Sequence, residues 1–188
     1  MRAAVSTERQ QELVAGIMRV SRDAGPPQPY RYGFEKLAAV VPGPAQRYAA
    51  WADVPGRLAE EAEPLRARAR QASERVPESY EVAAVELLGY RHGSSLSPHV
   101  DCVPGWSLIV SLGATARFYY AVGDRSGPRQ TVLLQSGDAV AFPTSHADGV
   151  WHGIEGFEER SEPAWFTAAA APYARLCLQF RSSYYHLH

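Results

Sequence analysis

Cysteine is scarce. Cys102 and Cys177 are the only two, too few for a disulfide scaffold and compatible with two buried thiols in a reducing compartment. An excess of charge of one sign is also lacking: 19 Lys and Arg against 20 Asp and Glu leave a net charge of −1. No global positive field therefore draws the molecule to nucleic acid or to an anionic membrane, which leaves a local basic stripe as the only electrostatic route to such partners. No apolar run approaches the ~20 residues of a membrane span, and the N-terminus lacks a signal peptide's apolar region. A cytoplasmic protein with no membrane partner is expected. Internal repeats and low-complexity tracts are absent as well. What is present is ordinary globular sequence, 46% hydrophobic over 188 residues, which suits one core, one domain spanning 1–188 and one active site. A monomer is expected.

The first segment, Ser6 to Gly25, sets Thr7 three residues before Gln10, a capping-box spacing. It then places Leu13, Val14, Ile17 and Met18 on one helical stripe and ends at Gly25-Pro26-Pro27. Tyr30 to Trp51 reads as loops with one short helix around Phe34 to Val40. From Leu58 to Arg75 a second helical stretch turns Leu58, Leu65 and Ala69 inward, with Pro64 starting a new piece or kinking the helix. After Pro77 the composition changes. β-rich runs occur at Glu81–Tyr90, Trp106–Leu112, Thr115–Val122, Gln130–Gln135, Asp138–Phe142 and Ala174–Arg181, separated by turn signals such as Pro104-Gly105, Gly123-Asp124 and Ser136-Gly137. Many short strands at this spacing predict two facing antiparallel sheets, a sandwich or jelly roll, with helices from residues 1–79 on one sheet. The fold class is thus α+β, mainly β.

His99-Val100-Asp101 puts a histidine and a carboxylate at i and i+2, which in an extended strand point to the same face. His152 lies far enough along the chain to return from a facing sheet. Two histidines and one carboxylate make the facial set of non-heme Fe(II) oxygenases, with open positions for a co-substrate and dioxygen. The same H-x-D also occurs by chance among surface residues, and His146 is an alternative third ligand; His92 reads as a polar loop residue. Arg175 and Arg181 end one predicted strand, on one face. A guanidinium on a sheet's inner face needs an anion, and its planar fork matches a carboxylate such as those of 2-oxoglutarate. The alternative is that these arginines pair with internal Glu or Asp.

In order along the chain, Tyr90-x-x-Gly93, His99-x-Asp101, Ser107-x-x-Val110-Ser111-Leu112-Gly113, Ser136-Gly137-Asp138, His152-Gly153-Ile154 and Arg175-x5-Arg181 resemble the AlkB family of Fe(II)/2-oxoglutarate dioxygenases. The resemblance implies a double-stranded β-helix (jelly-roll) catalytic core over 80–181. It implies iron on His99, Asp101 and His152, and 2-oxoglutarate bound by Arg175 and Tyr90 with Arg181 near the carboxylate beside the iron. It also implies dioxygen as oxidant, and succinate and carbon dioxide as products. Two departures stand out. Leu88 occupies the place of a family asparagine that touches the co-substrate. Cys102-Val103-Pro104-Gly105-Trp106 replaces the acidic residues with which nucleic-acid-repairing members follow the H-x-D.

An apolar entrance and near-neutral charge favour hydroxylation of a small molecule or peptide, with Cys102, Trp106 and Tyr120, together with Phe118, as candidate substrate-lining residues; plain core packing is their alternative. A demethylase of N-alkylated nucleobases is the second reading, with Arg66, Arg68, Arg70, Arg125 and Arg129 as candidate phosphate contacts. A non-enzymatic cupin-like metal-binding protein is the third. Asp101 argues against halogenation, which needs the carboxylate position vacated.

Overall fold

The computed structural model describes residues 1–30, 34–40, 54–78, 82–101 and 104–182, with backbone alone at 30, 39–40 and 54–61. The sequence readings at Cys102 and Val103, at Leu58's side chain, over 41–51 and at Glu81 lie outside the described residues. The elements run α1 (Thr7–Asp23), β1 (Gln28–Tyr30), β2 (Phe34–Val40), α2 (Val54–Ala72), β3 (Ala84–Tyr90), β4 (Leu96–His99), β5 (Trp106–Gly113), β6 (Ala116–Val122), β7 (Gln130–Leu134), β8 (Ala139–Pro143), a 3₁₀ turn (His146–Asp148), β9 (Val150–Phe157), α3 (Ala164–Ala170) and β10 (Arg175–Arg181).

The strands form two antiparallel sheets, a six-stranded one ordered β1-β2-β3-β10-β5-β8 and a four-stranded one ordered β4-β9-β6-β7. This is the expected jelly roll. Alternation along β10 shows how it is filled. Leu176, Leu178 and Phe180 join Leu13, Val14 and Ile17 of α1 and Leu65 of α2 in one core, beneath the helices. Cys177, on the other face, joins Phe118, Leu134 and Ile154 of the smaller sheet in a second core, between the sheets. The helices therefore cover one face of the larger sheet, and its other face is free to build a site.

Local readings need two corrections. The segment Phe34–Val40, read as a short helix, is a strand paired with β3. Its Glu, Lys, Leu and Ala are good helix formers, but pairing along a buried neighbour outweighs that weak preference. At the start of α1 the cap is Ser6, whose Oγ accepts from Arg9 N at 3.3 Å, rather than Thr7. Gln10 does not complete a capping box; it is buried, donating Nε2 to Val5 O at 2.9 Å and accepting from Ser136 Oγ at 2.6 Å. Pro64 sits inside α2, which passes through it without ending.

Candidate active site

His99 ends β4 and pairs directly across to His152 on β9. Asp101 follows two residues after His99. The available ligand atoms of His99, Asp101 and His152 all lie within 4.8 Å of one another, and no other such group occurs among the described residues. His99 Nδ1 faces Ser97 O at 3.0 Å and His152 Nδ1 faces Val150 O at 3.2 Å. A carbonyl only accepts, so each Nδ1 is the protonated nitrogen in these contacts, and Nε2 is the ring atom left to face a metal. Both Nε2 atoms turn to Asp101 Oδ1, at 3.4 Å from His99 and 3.8 Å from His152. The His152 ring is held by Phe142 at 4.4 Å and Phe118 at 6.0 Å between centroids. Burial lowers its pKa to about 4 against the opposing pull of Asp101, keeping the imidazole neutral and ready to ligate.

Asp101 is nearly enclosed, and desolvation is the largest single influence on it, pushing its pKa up. Contact with the His99 ring, the Arg181 guanidinium and the nearby His152 ring together outweigh desolvation, and the carboxyl falls well below the usual range. It stays ionised at any ordinary pH. Its Oδ2 accepts from Arg181 Nη1 at 3.1 Å, and Arg181 Nε in turn donates to Glu86 at 2.6 Å.

At the opposite end of β10, Arg175 is only 1% exposed. Its Nε donates to Ser111 Oγ at 3.0 Å, and its guanidinium lies 5.1 Å from the centroid of the Tyr90 ring. Its Nη1 has no hydrogen-bond partner, the one such buried side-chain atom among the described residues. Burial raises the Tyr90 hydroxyl's pKa, so the phenol stays protonated as a donor. Leu88 and Cys177, partners across β3 and β10, line the same face with no strong donor. Trp106 and Tyr120, together with Phe118, Phe142 and Val150, line a cavity of about 980 Å³; the Tyr120 hydroxyl donates to Gln130. His146 lies in the exposed 3₁₀ turn outside the trio, and His92 pairs with Glu162 at 3.0 Å.

The sequence reading quoted Ser111 only as part of a motif, without a role, and missed Phe142 and above all Glu86. A signal for Glu86 was present: it is the only carboxylate in a strand otherwise apolar, at the same parity as Leu88 and Tyr90. Gly153 is also explained by position. A Cβ there would sit 2.3 Å from both Leu96 O and Tyr119 Oη, so only glycine lets β4 and β6 close around His152.

A donor set of two imidazoles and a carboxylate fits a divalent iron, and an orphaned buried guanidinium nitrogen fits a carboxylate ligand. The model of the 2OG-Fe(II) oxygenase superfamily matches residues 10–181, and the chain belongs to that superfamily. It is thus a dioxygenase using Fe(II), 2-oxoglutarate and O2. Comparison with curated proteins finds no match in sequence. Among solved structures the chain resembles OsALKBH1, with a TM-score of 0.75 at 16% identity, covering 96% of this chain and 95% of that one. It also resembles a Pseudomonas putida prolyl-4-hydroxylase, at 0.59 and 16% over 96% and 90%, and a 2OG-Fe(II) oxygenase family oxidoreductase from Burkholderia pseudomallei, at 0.52 and 11% over 95% and 79%. At these identities the likeness is one of fold, which is AlkB-like. Membership of an oxygenase superfamily removes the reading as a non-enzymatic metal-binding protein.

Proposed function

We propose that His99, Asp101 and His152 hold the iron, that Arg175 and Tyr90 bind 2-oxoglutarate, and that the enzyme hydroxylates a C–H bond of a small molecule or peptide. The observation that carries the site assignment is Arg175. A guanidinium so enclosed, with Nη1 unsatisfied, is costly to keep unless an anion enters to meet it, and it shares β10 with the arginine that grips Asp101. When bound, iron and 2-oxoglutarate supply the oxidising chemistry, one oxygen atom of O2 passing to the substrate as hydroxyl and the other to succinate while carbon dioxide leaves. The chain's own groups prepare for it. Ionised Asp101 and the imidazoles of His99 and His152 offer Oδ1 and two Nε2 atoms, Phe118 and Phe142 keep water from the His152 ring, and Arg175 orients the dicarboxylate.

For the substrate, the supporting observation is the cavity walled by Trp106, Phe118, Tyr120 and Phe142 with Val132, Leu134 and Val150. Its volume falls within the ~300–1,000 Å³ of small-molecule sites, and its lining, mostly apolar with Arg75 and Asp148 as charged members, suits a substrate with an apolar body. The α2 arginines are engaged elsewhere: Arg66 with Glu63 and Pro77 O, Arg68 with Ala4 O, Arg70 with Glu78 and Val76 O. The second reading, oxidative demethylation of an N-alkylated nucleobase, is supported by Arg125 and Arg129, which stack on Trp151 and Tyr119 at 5.8 Å and 5.2 Å.

The test is a mass-spectrometric screen for substrate-stimulated succinate formation, run with small apolar molecules, peptides and methylated oligonucleotides. A product 16 Da heavier from a small molecule or peptide is expected, that being the mass of one added oxygen atom (~16 Da). Formaldehyde release from 1-methyladenine or 3-methylcytosine DNA, with lesion-selective binding, would make the demethylase reading primary. Without lesion selectivity, DNA should bind no tighter than the ~10⁻⁴–10⁻⁶ M of non-specific association.

A further inference from the structure

Four charged side chains of alternating sign run in a row from the surface to the metal trio. Lys36 on β2 meets Glu86 Oε1 at 2.6 Å, Glu86 Oε2 meets Arg181 Nε at 2.6 Å, and Arg181 Nη1 meets Asp101 Oδ2 at 3.1 Å. Their side chains are 20%, 7%, 15% and 5% exposed in that order. We propose that Glu86, itself gripped by Lys36, is a positioning residue of the oxygenase centre: it holds Arg181 so that the guanidinium takes Asp101 Oδ2 and leaves Oδ1 turned to the two histidine Nε2 atoms. The inference rests on the metal assignment proposed above.

The geometry makes the division of labour specific. A carboxylate has two oxygens and accepts from either, so nothing within Asp101 decides which one faces a metal. Asp101 Oδ2 is occupied by Arg181, and Oδ1 is the oxygen near both histidines. A guanidinium donates from a rigid fork, so fixing its Nε on Glu86 fixes the direction of its Nη1. Glu86 stands on β3, opposite Gln179 of β10 and diagonal to Arg181, which it holds directly. Lys36 keeps Glu86 ionised and answers its second oxygen, so the row Lys36, Glu86, Arg181, Asp101 carries no net charge. Arg181 is thereby employed inside the protein, whereas Arg175 has no ion pair among the described residues. The two arginines of one strand face hold different jobs.

The experiment is Co(II) titration of the full chain without turnover, following the visible d–d bands, for the parent, Glu86→Gln, Arg181→Lys, Arg181→Met and the Glu86→Gln/Arg181→Met pair. Loss of a partner that orients a metal ligand typically weakens metal binding roughly 10- to 100-fold. Glu86→Gln is expected to raise the Co(II) Kd within that range and to alter the band shape, while the double variant binds Co(II) no more weakly than Arg181→Met alone. A purely structural Glu86 would lower the melting temperature and leave Co(II) affinity and spectrum as in the parent, which overturns the proposal. Additive losses in the double variant overturn it as well, because Glu86 would then act by another route. Should Glu86→Gln not fold, Arg181→Lys decides: an ammonium cannot span both carboxylates as the fork does, so parent-like Co(II) binding in that variant refutes the row. A parent that binds no Co(II) instead refutes the metal assignment beneath it.

Discussion

Replacing Arg175 by methionine should separate what that residue does for the fold from what it does for the co-substrate. In the protein without 2-oxoglutarate the guanidinium is enclosed, with Nε on Ser111 and Nη1 unsatisfied. Methionine removes a poorly compensated buried charge, a gain that offsets the lost Ser111 bond, worth ~1 kcal/mol. The melting temperature without ligand should therefore stay within about 3 °C of the parent, since 1 kcal/mol moves a chain of this size by roughly 2–4 °C. With 2-oxoglutarate the outcome reverses. At about 100 times its Kd, the ligand stabilises the parent by ~2.7 kcal/mol, or roughly 5–11 °C. Losing a charge-assisted bond of about 1.5–3 kcal/mol weakens binding roughly 10- to 150-fold. At the same concentration the variant should then keep no more than a few degrees of the rise, about 1 °C at a 100-fold loss. The assay is thermal unfolding with Mn(II) in place of iron, with and without 2-oxoglutarate. Arg175→Lys should fall between, because a point charge lacks the fork. A full ligand-dependent rise in Arg175→Met would refute the role given to this arginine.

The three proposed ligands can be tested together. His99→Ala, Asp101→Ala and His152→Ala should each abolish the Fe(II)- and 2-oxoglutarate-dependent visible absorbance under nitrogen, and a parent-like spectrum removes that residue from the set. Gly153→Ala should destabilise the protein by more than the ~1–3 kcal/mol usual for overpacking, because its Cβ would meet backbone and a tyrosine at 2.3 Å; an unchanged urea midpoint would contradict that close approach. Acid sensitivity should follow Glu86. Desolvation, the largest influence, pushes its pKa up, but Arg181 and Lys36 outweigh it and hold the carboxyl below the ordinary 4.5. A depressed carboxylate contributes stability that is present above its unfolded pKa and lost as pH falls through the folded one. Urea melts of the apoprotein from pH 6 to pH 3 should accordingly show a steeper loss of stability below about pH 4.5 in the parent than in Glu86→Gln, and equal slopes would argue against an ionised Glu86.

What could be read in advance was the part of the molecule written in strong local signals. The strands β5 and β6 are apolar or aromatic runs bounded by glycine turns, β10 is a largely apolar run between two arginines, and each forms within a residue or two of its expected place. The H-x-D and the arginine pair were visible because charged or metal-ligating side chains in such runs violate the pattern. The strand β9 was not legible, since two glycines and a glutamate interrupt Val150–Phe157, and the reason for Gly153 lies in Leu96 and Tyr119, far away in sequence. The strand β2 was read as a helix because its residues favour one, and only β3 beside it overrules them. Neither Lys36 nor Glu86 belongs to a motif, and their connection to Asp101 exists only once β2, β3 and β10 lie side by side.

The central position of β10 carries a consequence for synthesis. This last of the described strands inserts between β3 and β5, bringing Arg175 onto Ser111, 64 positions back, and Arg181 onto Glu86, 95 positions back. Contacts so distant form slowly, since the chain must close long loops before they reward it. Until residue 181 has been made, β3 and β5 each present an open edge in the middle of the larger sheet, the kind of exposed template that pairs with other chains. Fragments ending before Arg175 should thus be lost to aggregates rather than survive as partly active domains. A nascent chain therefore needs shelter until β10 slides between β3 and β5.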